Sequence, residues 1–318
     1  MIKPYEERFP WMLDWNLLRT FMVLVDRQGI TRAAEYLGVT QPTISSALKR
    51  LEETVGKRLV DRSPGHFRVT EAGEILHREC STVFGSVSQL PRLMAQADDR
   101  VTGHLTIVMT SHVVCPHLDE HLSVFNRRHP DATYAISVAE SPEVISRLKQ
   151  NRASLGVCLM RDPDPELDVQ LLFRECFGLF CGPNHRLFGR TDLELADLVG
   201  EPSVSFQTDT ESGPLSSVTQ LRDRALLKPG LKGISANLPE VRRMIFAGLG
   251  IGALPLHVAR RDVDSGMLWQ LPPYTDLPVV DVFLVTNPRR SLNPAEKLFL
   301  KGLKTLIAEI PLSQRTYE

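Results

Sequence analysis

The sequence predicts an α/β protein with a small all-α domain in front of it, and three observations lead to that prediction. Three short helical patterns follow one another closely in the first part of the chain. A longer helical pattern with an apolar stripe comes after them. From Gly103 onward, strand patterns and helix patterns alternate, which is typical of parallel sheets covered by helices.

Length and composition place the chain among ordinary globular proteins. It has 318 residues, of which 42% are hydrophobic and 24% charged, so two or three domains with real cores are expected. No run approaches the roughly 18 apolar residues of a membrane span, and the N-terminal segment lacks the apolar core of a secretory signal. The five cysteines are scattered and odd in number, which favours a reduced cytoplasmic protein over a disulfide framework.

The stretch GITRAAEYLGVTQP predicts two short helices joined by a tight turn. Thr31 is the expected N-cap of the first helix, and Gly38 is the expected residue just past its end. Thr40 is then the N-cap of the second helix, and Pro42 lies in its first turn, where a missing N–H costs little. Small alanines in the first helix allow a close approach, so the pair is predicted to be a helix-turn-helix.

The second of these helices has an apolar face and a short polar tip. At about 100° per residue, one sector collects the core positions Ile44, Leu48, Leu51 and Val55. The opposite sector collects Pro42, Thr43, Ser46, Lys49, Arg50 and Glu53, with Gln41 and Ser45 at its flanks. Short polar side chains suit the base edges of a major groove, and the basic pair behind them suits the flanking phosphates. The alternative is an amphipathic helix with an ordinary solvated face.

The segment KRLVDRSPGHFRV predicts a two-stranded hairpin with a turn at Pro64–Gly65. A hairpin beside a helix-turn-helix is a wing, whose arginines can reach a narrow minor groove. From Gln41 to Thr70 there are six basic and three acidic residues, a local excess of +3 in a chain of net charge −1. The candidate DNA-binding residues are Thr31, Gln41, Pro42, Thr43, Ser45, Ser46, Lys49, Arg50, Arg62 and Arg68.

The long helical pattern that follows has an expected N-cap at Thr70 and is expected to end or kink at Pro91. Its apolar stripe consists of Ala72, Leu76, Cys80, Val83, Val87, Leu90 and Met94. A stripe on a helix outside any compact domain needs a partner, and a second copy of the chain is the simplest one. Packing against the later part of the same chain is the alternative.

These features together resemble the LysR-type transcriptional regulators. The resemblance rests on LLRTFMVLVDRQGITRAAEYLGVTQPTISSALKRLEETVGKRLVDRS followed by RVTEAGE, and it extends more loosely over nearly the whole chain. It implies three parts, namely a winged helix-turn-helix domain over 13–70, a linker and dimerisation helix over 71–97, and an effector domain over 102–318. The effector domain would resemble periplasmic binding proteins, with two α/β subdomains, namely I (102–174 and 281–318) and II (175–280).

The resemblance also implies partners. Members of the family form homodimers that assemble into tetramers, bind interrupted dyads of double-stranded DNA near promoters, and respond to a small-molecule effector. RNA polymerase is a further expected partner. By resemblance, the base contacts map to Gln41, Pro42, Ser45 and Ser46, and the wing arginine to Arg62. The family often has arginine where this chain has Ser46, so a different base preference is expected.

Three loops at the carboxyl ends of predicted strands form the candidate effector site, since ligands of open α/β sheets bind there. They contribute Thr110, Ser111, His112, Ser141, Ser205, Phe206 and Gln207. By resemblance, effectors bind near Ser111, Ser141 and Phe206. Helix N-termini attract anions, so a small carboxylate is the expected effector, although Glu140 would oppose it. The alternative is that these residues are only helix N-caps, as predicted for Ser141.

Other clusters of reactive residues do not indicate catalysis or metal binding. His117 and His121 are four apart on a predicted helix near Cys115, but no further ligand is indicated and surface histidines are favoured. For Cys176 and Cys181, two buried thiols on a strand are favoured over a redox pair. Neither an enzyme nor a bound cofactor is expected. The alternative function is a cytoplasmic small-molecule-binding protein whose N-terminal helices serve only for dimerisation.

Overall fold

A computed structural model of the chain describes Phe9, residues 13–63, residues 66–88, Leu90 and residues 101–318, with the backbone alone at positions 62, 63 and 66. The chain divides into two compact units, Met1–Leu90 and Pro91–Glu318. Among the residues described, no helix is both long enough and apolar enough to cross a membrane.

The N-terminal unit is a helical domain with a hairpin, as predicted. Its elements within the described ranges are α1 (Trp15–Asp26), α2 (Ile30–Leu37), α3 (Gln41–Val55), β1 (Val60–Ser63), β2 (His66–Val69) and α4 (Glu71–Val87). Their buried side chains form one core that includes Leu18, Phe21, Leu24, Ala33, Ile44, Leu48 and Leu51. The predicted inward face of α3 is therefore confirmed, with Val55 partly buried at the edge of the core.

The turn between α2 and α3 follows the predicted chemistry. Gly38 has φ 68° and ψ 33°, in the left-handed region that glycine adopts without strain. The N–H of the next residue, Val39, donates to the Ala34 carbonyl at 3.0 Å and closes the end of α2. Thr40 is extended and forms the N-cap of α3, and Pro42 lies in the first turn.

Thr31 is not the N-cap of α2, contrary to the prediction. The helix begins at Ile30 with Gly29 as its N-cap, because the Gly29 carbonyl already accepts the first intrahelical hydrogen bond from Ala33 (3.0 Å). Gly29 has no side chain that could accept from the helix, so no side-chain cap forms. Thr31 therefore lies within the first turn, where its side chain is exposed.

One carboxylate of α3 binds the backbone at the start of the wing. The Glu52 Oε1 atom accepts hydrogen bonds from the backbone N–H groups of Leu59 (2.9 Å) and Val60 (3.3 Å). These two groups begin the first wing strand, which pairs antiparallel with β2 from Val60↔Val69 to Ser63↔His66. The orientation of the hairpin relative to α3 is thereby fixed, while its predicted turn at Pro64–Gly65 lies outside the described residues.

The apolar stripe of α4 has two parts with different environments. Cys80 is buried in the core of the N-terminal unit, and Ala72 and Leu76 pack against the same core. The prediction that the whole stripe stands outside a compact domain was therefore wrong for its first half, because α4 packs back onto α1. Val87 and Leu90 are exposed. The predicted helix end at Pro91 and the stripe residue Met94 lie outside the described residues.

The C-terminal unit alternates strands and helices, as predicted. Its first part contains β3 (Gly103–Met109), α5 (Pro116–Arg128), β4 (Ala132–Val138), α6 (Ser141–Lys149), β5 (Leu155–Leu159) and β6 (Asp168–Cys181). Its middle part contains β7 (Ser203–Phe206), α7 (Ser216–Arg224), β8 (Leu231–Ser235), α8 (Leu238–Phe246), β9 (Ile251–Pro255), α9 (Leu256–Asp264) and β10 (Trp269–Leu271). It closes with β11 (Val279–Thr286), α10 (Pro294–Glu309) and β12 (Thr316–Tyr317).

These strands follow the order β4-β3-β5-β11-β6-β9-β7-β8, with β10 and β12 also paired to β6. The pairs of β3 with β4 and β5, and of β7 with β8 and β9, are parallel, as the alternation predicted. Strands β6 and β11 are antiparallel to each other. Strand β6 also pairs antiparallel with β9, and β11 pairs antiparallel with β5, so each joins one of the two groups of parallel strands. The sheets are therefore mixed, because the chain crosses between two sheet halves in opposite directions.

Strand β6 takes the chain from the first sheet half to the second. The sequence patterns up to Cys176 and from Phe177 onward read as two segments, but the structure joins them in a single fourteen-residue strand, β6. Its first part, up to Cys176, pairs with β11, and its second part, from Phe177, pairs with β9. Subdomain I is the sheet half around β3 and β5, and subdomain II is the half around β7 and β9.

Replacing Gly73 by alanine should destabilise the N-terminal unit by about 2 kcal/mol, a typical cost of overpacking. A Cβ atom at this position would overlap the Leu59 carbonyl oxygen and lie 2.7 Å from Val69 Cγ1, so the wing and α4 would have to separate. Urea unfolding of the two proteins measures the difference.

The matched control is Gly29→Ser, at an N-cap with nothing within 4 Å of the added Cβ. A serine there gains a capping hydroxyl, so stability should stay equal or rise by a few tenths of a kcal/mol. Equal stability of Gly73→Ala and the parent would contradict the close approach of wing and helix.

Candidate nucleic-acid interface and ligand cleft

The tip of α3 presents short polar side chains to solvent. Gln41, Pro42, Thr43 and Ser46 are exposed, and Ser45 is partly buried. The hydroxyl groups of Thr40 and Thr43 lie 2.9 Å apart, which links the N-cap to the first turn. The helix end therefore offers an amide and a hydroxyl on a rigid support, as the sequence predicted.

The basic side chains of α3 are held in weak ion pairs. Lys49 Nζ lies 3.8 Å from Glu53 Oε1, and Arg50 Nη2 lies 3.5 Å from Oδ2 of Asp14, the N-cap of α1. All four side chains are more than a third exposed, so each pair contributes little stability. A DNA phosphate can therefore replace either carboxylate with little loss of free energy. In the absence of DNA, the carboxylates orient the two cations.

The two wing arginines occupy different positions in the hairpin register. Arg68 is exposed and faces Asp61 across the ladder, whereas Arg62 is paired in register with Phe67. The side chain of Arg62 lies outside the described parts of the structure. The structure therefore supports Arg68 as an accessible cation of the wing.

The structure adds residues of α1 that the sequence analysis missed. Asn16, Arg19 and Thr20 line a groove of about 150 Å³ together with Thr43 and Ala47 of α3. Arg19 is exposed, so a further cation lies beside the tip. The apolar spacing of α1 shows that these three residues lie outside its buried face. The spacing does not show that they lie beside α3.

Ser111 links the two subdomains by using both hydrogen-bonding functions of its hydroxyl. The Oγ atom donates to the Ala236 carbonyl (3.2 Å) and accepts from the Leu238 N–H (2.9 Å). Ala236 and Leu238 stand at the N-terminus of α8 in subdomain II, whereas Ser111 follows β3 in subdomain I. The serine that the resemblance assigns to effector binding thus forms hydrogen bonds between the two subdomains.

Ser141 is not an N-cap, contrary to the prediction. Glu140 is the N-cap of α6, and Ser141 is the first residue of the helix. The side chain of Ser141 is buried, and its Oγ accepts from the Leu159 N–H at 3.3 Å. A groove of about 570 Å³ lies beside it, lined by Val138, Ala139, Glu140, Pro142, Glu143, Arg147, Ala236 and Asn237. Both subdomains therefore contribute to this groove.

Ser205 belongs to a buried hydrogen-bond network. Its hydroxyl donates to Asp209, which also accepts from Thr219 Oγ1 (2.5 Å) and lies 2.8 Å from Arg222 Nε. These contacts hold the loop after β7 against α7. The neighbouring Phe206 is also buried, whereas Gln207 is exposed.

His112 meets Phe206 across the subdomain boundary and lies beside Thr110. The Thr110 hydroxyl lies 3.4 Å from His112 Nε2, and the His112 ring meets the Phe206 ring edge-on with centroids 6.2 Å apart. His112 Nε2 also lies 3.9 Å from the Glu175 carboxylate of β6. Burial, with a smaller contribution from the neighbouring His257, lowers the pKa of His112 to about 4.

Glu175 is the residue of this cluster that the sequence analysis missed. It is completely buried, and desolvation raises its pKa well above the usual value for a carboxyl group. Neither carboxylate oxygen has a hydrogen-bond partner among the described residues. The signal in the sequence is an acidic residue at an inward position of the apolar strand LLFRECFGLFC.

The two histidines weighed as metal ligands each bind another element of subdomain I. His117 Nδ1 lies 2.6 Å from the Tyr317 hydroxyl, and His121 Nε2 donates to the Phe299 carbonyl at 3.0 Å. Cys115 Sγ lies 3.4 Å from the same Tyr317 hydroxyl. These contacts give the three residues a structural explanation, because they fasten α5 to β12 and α10.

Cys176 and Cys181 are five positions apart on one extended strand, which separates their Cα atoms by roughly 16 Å. A disulfide needs Cα atoms within about 7 Å, so these residues cannot form one within the described strand.

Comparison with known proteins identifies the family. Residues 15–74 match the model of the bacterial regulatory helix-turn-helix protein, lysR family, and residues 98–307 match the LysR substrate binding domain. The chain belongs to the LysR family of transcriptional regulators. The DNA-binding regulator is therefore the supported interpretation, and the alternative of a binding protein with a mere dimerisation module is not.

Relatives of this LysR-type regulator cover most of its length. The HTH-type transcriptional regulator CysL of Bacillus subtilis is 26% identical over 254 residues, which is 78% of this chain and 83% of CysL. The regulator CbbR of Cereibacter sphaeroides is 29% identical over 290 residues, which is 87% of this chain and 90% of CbbR. A hydrogen peroxide-inducible genes activator of Pectobacterium carotovorum is 25% identical over 279 residues, which is 85% of this chain and 89% of that protein.

Solved structures confirm the fold class. CbnR in complex with its target DNA has a TM-score of 0.63 at 17% identity, over 92% of this chain and 99% of that one. ArgP of Mycobacterium tuberculosis has a TM-score of 0.62 at 20% identity, over 94% of this chain and 99% of that one. The related proteins are regulators rather than enzymes.

The five thiols of this regulator should resist alkylation in the native protein. All five are buried, and burial raises their pKa values, to about 11 for Cys80 and about 12 for Cys158 and Cys181. At pH 8 a thiol of pKa about 11 is ionised in roughly one molecule in a thousand, and thiolate is the reactive form. Mass spectrometry after iodoacetamide treatment measures the modification.

The control is the same reaction in concentrated urea, where all five cysteines should be modified. Rapid native modification of Cys115 or Cys176, whose pKa values burial also raises, would show that their environment opens readily.

Proposed function

We propose that this LysR-type regulator reads double-stranded DNA with the N-terminal end of α3. The carrying observation is that this end exposes Gln41, Thr43 and Ser46 while the opposite face of the helix is fixed in a core. Glutamine amides pair bidentately with adenine in the major groove, and hydroxyl groups serve several bases. Pro42 and Ser45 complete the proposed base-reading surface.

Phosphate contacts come from cations around that tip. Lys49 and Arg50 on α3, Arg68 on the wing and Arg19 on α1 are exposed. Arg62 is proposed as a further wing contact from the sequence resemblance, and Thr31 as a contact from the first turn of α2. Phosphate contacts position a protein without reading sequence, so these residues set affinity and salt dependence rather than base preference.

We further propose that the regulator acts as a homodimer that assembles into a tetramer and binds an interrupted dyad. The exposed apolar residues Ile75, Val87 and Leu90 on and after α4 support a helical dimer contact within the segment 71–97. Two copies related by a twofold axis read two half-sites, which gives a dyad. RNA polymerase contact and a cytoplasmic location complete the proposal.

The effector binds between the two subdomains in this proposal. The supporting observation is that loops of both halves meet there, through Ser111 with Leu238 and through His112 with Phe206. The proposed walls are Thr110, Ser111, His112, Ser141, Ser205, Phe206 and Gln207. The proposed domain limits are 13–70, 71–97 and 102–318, with subdomain I over 102–174 and 281–318 and subdomain II over 175–280.

Peroxide sensing, which the name of one relative suggests, is not part of the proposal. Oxidation by peroxide requires an accessible thiolate. The buried thiols of this chain have raised pKa values and therefore lack that character.

The deciding experiment is selection of bound sequences from a random DNA pool by the purified full-length protein at near-physiological salt. Recovery of an interrupted dyad supports a dimeric sequence reader. Recovery of unrelated sequences, by the full chain and by a fragment ending at Gln96, would contradict the proposal. The fragment lacks the effector domain, so it distinguishes two reasons for a failed selection. A site recovered by the fragment alone indicates that the full-length protein needs its effector, whereas no site with either protein indicates that the helix does not read sequence.

Gln41→Ala should weaken binding to the selected site about tenfold to a hundredfold, because a bidentate base contact is worth roughly 1–3 kcal/mol. Binding to random DNA should change little. Titration of both DNAs by fluorescence anisotropy measures the ratio. The matched control is Gln220→Ala, which removes an exposed glutamine from helix α7 of the other unit. An equal loss on both DNAs would remove Gln41 from the base readers.

Lys49→Ala and Arg68→Ala should each lower affinity for all sequences and reduce the salt slope by about one unit per lost phosphate contact. The measurement is the dissociation constant over a series of potassium chloride concentrations. Lys297→Ala, at an exposed lysine of α10, is the control and should leave the slope unchanged. An unchanged slope in Lys49→Ala would place that side chain away from the phosphates.

A further inference from the structure

The hydrogen-bonding capacity of the cleft is unevenly distributed. Ser111 and Ser205 are both engaged within the protein, the first with α8 and the second with Asp209. Ser141 only accepts, from the backbone N–H of Leu159 in β5, which leaves its hydroxyl hydrogen able to donate. An anion can use the O–H groups of Ser111 and Ser205 only after their hydrogen bonds within the protein break. Two of the three serines that look suited to an anion therefore already donate within the protein.

Glu175 is the opposite case. Its side chain is fully buried, and both carboxylate oxygens lack a hydrogen-bond partner among the residues described. Buried polar groups are almost always satisfied, so two unused acceptors on one side chain call for an explanation. An acceptor that meets no donor within the protein is suited to a donor supplied from outside.

The surroundings of Glu175 fit a cation better than an anion. His112 Nε2 lies 3.9 Å from its carboxylate, and burial keeps that ring neutral at pH 7. Phe206 meets the same ring edge-on, which places an aromatic group within the cluster. Aromatic faces and carboxylates both attract nitrogen-centred cations. The groove that both subdomains line carries two carboxylates, Glu140 and Glu143, and among the described residues its one cation, Arg147, is already paired with Glu143 at 2.7 Å.

The other titratable groups near Glu175 do not supply a positive charge. Tyr317 of β12 stands opposite it in the parallel register, and His257 of α9 packs on Tyr317 with ring centroids 5.2 Å apart. Burial lowers the pKa of His257, which disfavours the charged form of this ring. Arg174, the preceding residue on β6, points to the opposite face of the strand and is paired with Asp281 at 2.6 Å.

We infer that the effector carries a nitrogen-centred cation, an amine or an amidinium group, which donates hydrogen bonds to the Glu175 carboxylate beside His112 and Phe206. This inference rests on the proposed function, because it names the chemistry of the proposed effector site. The small carboxylate expected from the sequence gives way to a cationic ligand.

Binding involves a defined proton transfer. In the free protein, burial without a partner raises the pKa of the Glu175 carboxyl well above its usual value and so favours its protonated form. When the cation arrives, the Glu175 O–H bond breaks and the proton goes to the buffer. The resulting carboxylate accepts N–H hydrogen bonds from the cation. No oxidant, metal or other reactant is needed.

The first test measures thermal unfolding of the full-length protein with a panel of biological amines, guanidines and carboxylic acids of matched size, together with benzamidine, benzamide and benzoate. At least one cation should raise the melting temperature, and its matched acid should not. Glu175→Gln should abolish the shift. Glu140→Gln, which removes a neighbouring charge outside the contact, should keep it.

Three results would overturn the inference. One is a panel in which no cation raises the melting temperature. Another is a cation whose shift survives in Glu175→Gln. The third is an acid that stabilises the parent and Glu175→Gln alike.

Calorimetry supplies a readout that a merely structural glutamate would not change. Titration of the stabilising cation at pH 7, in buffers of different ionisation enthalpy, should show release of about one proton per cation bound. Glu175→Gln should show none. Glu175→Asp keeps the carboxyl one methylene further back, so it should bind at least tenfold more weakly and still release the proton. Binding without proton release in the parent would contradict the mechanism.

The unliganded variants also separate this inference from the proposed function. Glu175→Gln is isosteric with the protonated carboxyl, so its own melting temperature should match the parent within a few degrees. It should also recover the same DNA sequences in the selection. A failed cation test with intact DNA selection removes the inference alone, whereas failed DNA selection removes the proposed function.

Discussion

Both halves of the C-terminal unit depend on the single strand β6. Its first part completes the sheet of subdomain I against β11, and its second part completes the sheet of subdomain II against β9. The change of partner falls between Cys176 and Phe177, where the Phe177 N–H also binds the Pro278 carbonyl at 2.9 Å. Neither sheet can lose this strand without losing part of its ladder. Any movement between the halves therefore has to bend β6 near this change of partner.

The position of Glu175 follows from that constraint. Two residues before the change of partner, its side chain falls where both sheets and the terminal strand β12 meet, and no water reaches it. A carboxyl group placed there lowers stability unless a donor satisfies it. The buried Arg315, by contrast, donates to the carbonyls of Leu171 (2.9 Å) and Ile310 (3.0 Å). Glu175 differs from it because both of its carboxylate oxygens lack a hydrogen-bond partner among the described residues, as does Nδ1 of the nearby His257.

Local chemistry was predictable from the sequence, whereas long-range placement was not. The turn at Gly38 and the cap at Thr40 follow from residue types alone and were confirmed. Thr31 and Ser141 were predicted to be N-caps, but both lie within the first turn of their helices. Residue-type preference alone does not show which carbonyl accepts the first hydrogen bond of a helix. The single strand around Cys176 was predicted as two segments, because a buried strand that changes sheets has the same apolar pattern as two short strands. Glu175 was missed because its significance comes from what surrounds it in space, not from its neighbours in sequence.

The closed cleft links ligand access to the arrangement of the subdomains. Glu175 has no exposed surface, so a ligand reaches it only after surrounding residues move. His112 and Phe206 meet from different subdomains, and the bonds from Ser111 to Ala236 and Leu238 span the same boundary. A ligand that binds the open arrangement more tightly than the closed one shifts the population between them by its difference in affinity. The desolvated acceptor provides such a difference, because a cation can meet it only in the arrangement that admits the ligand. The unused carboxyl, which lowers the stability of the empty closed form, thereby makes the geometry of the cleft responsive to occupancy.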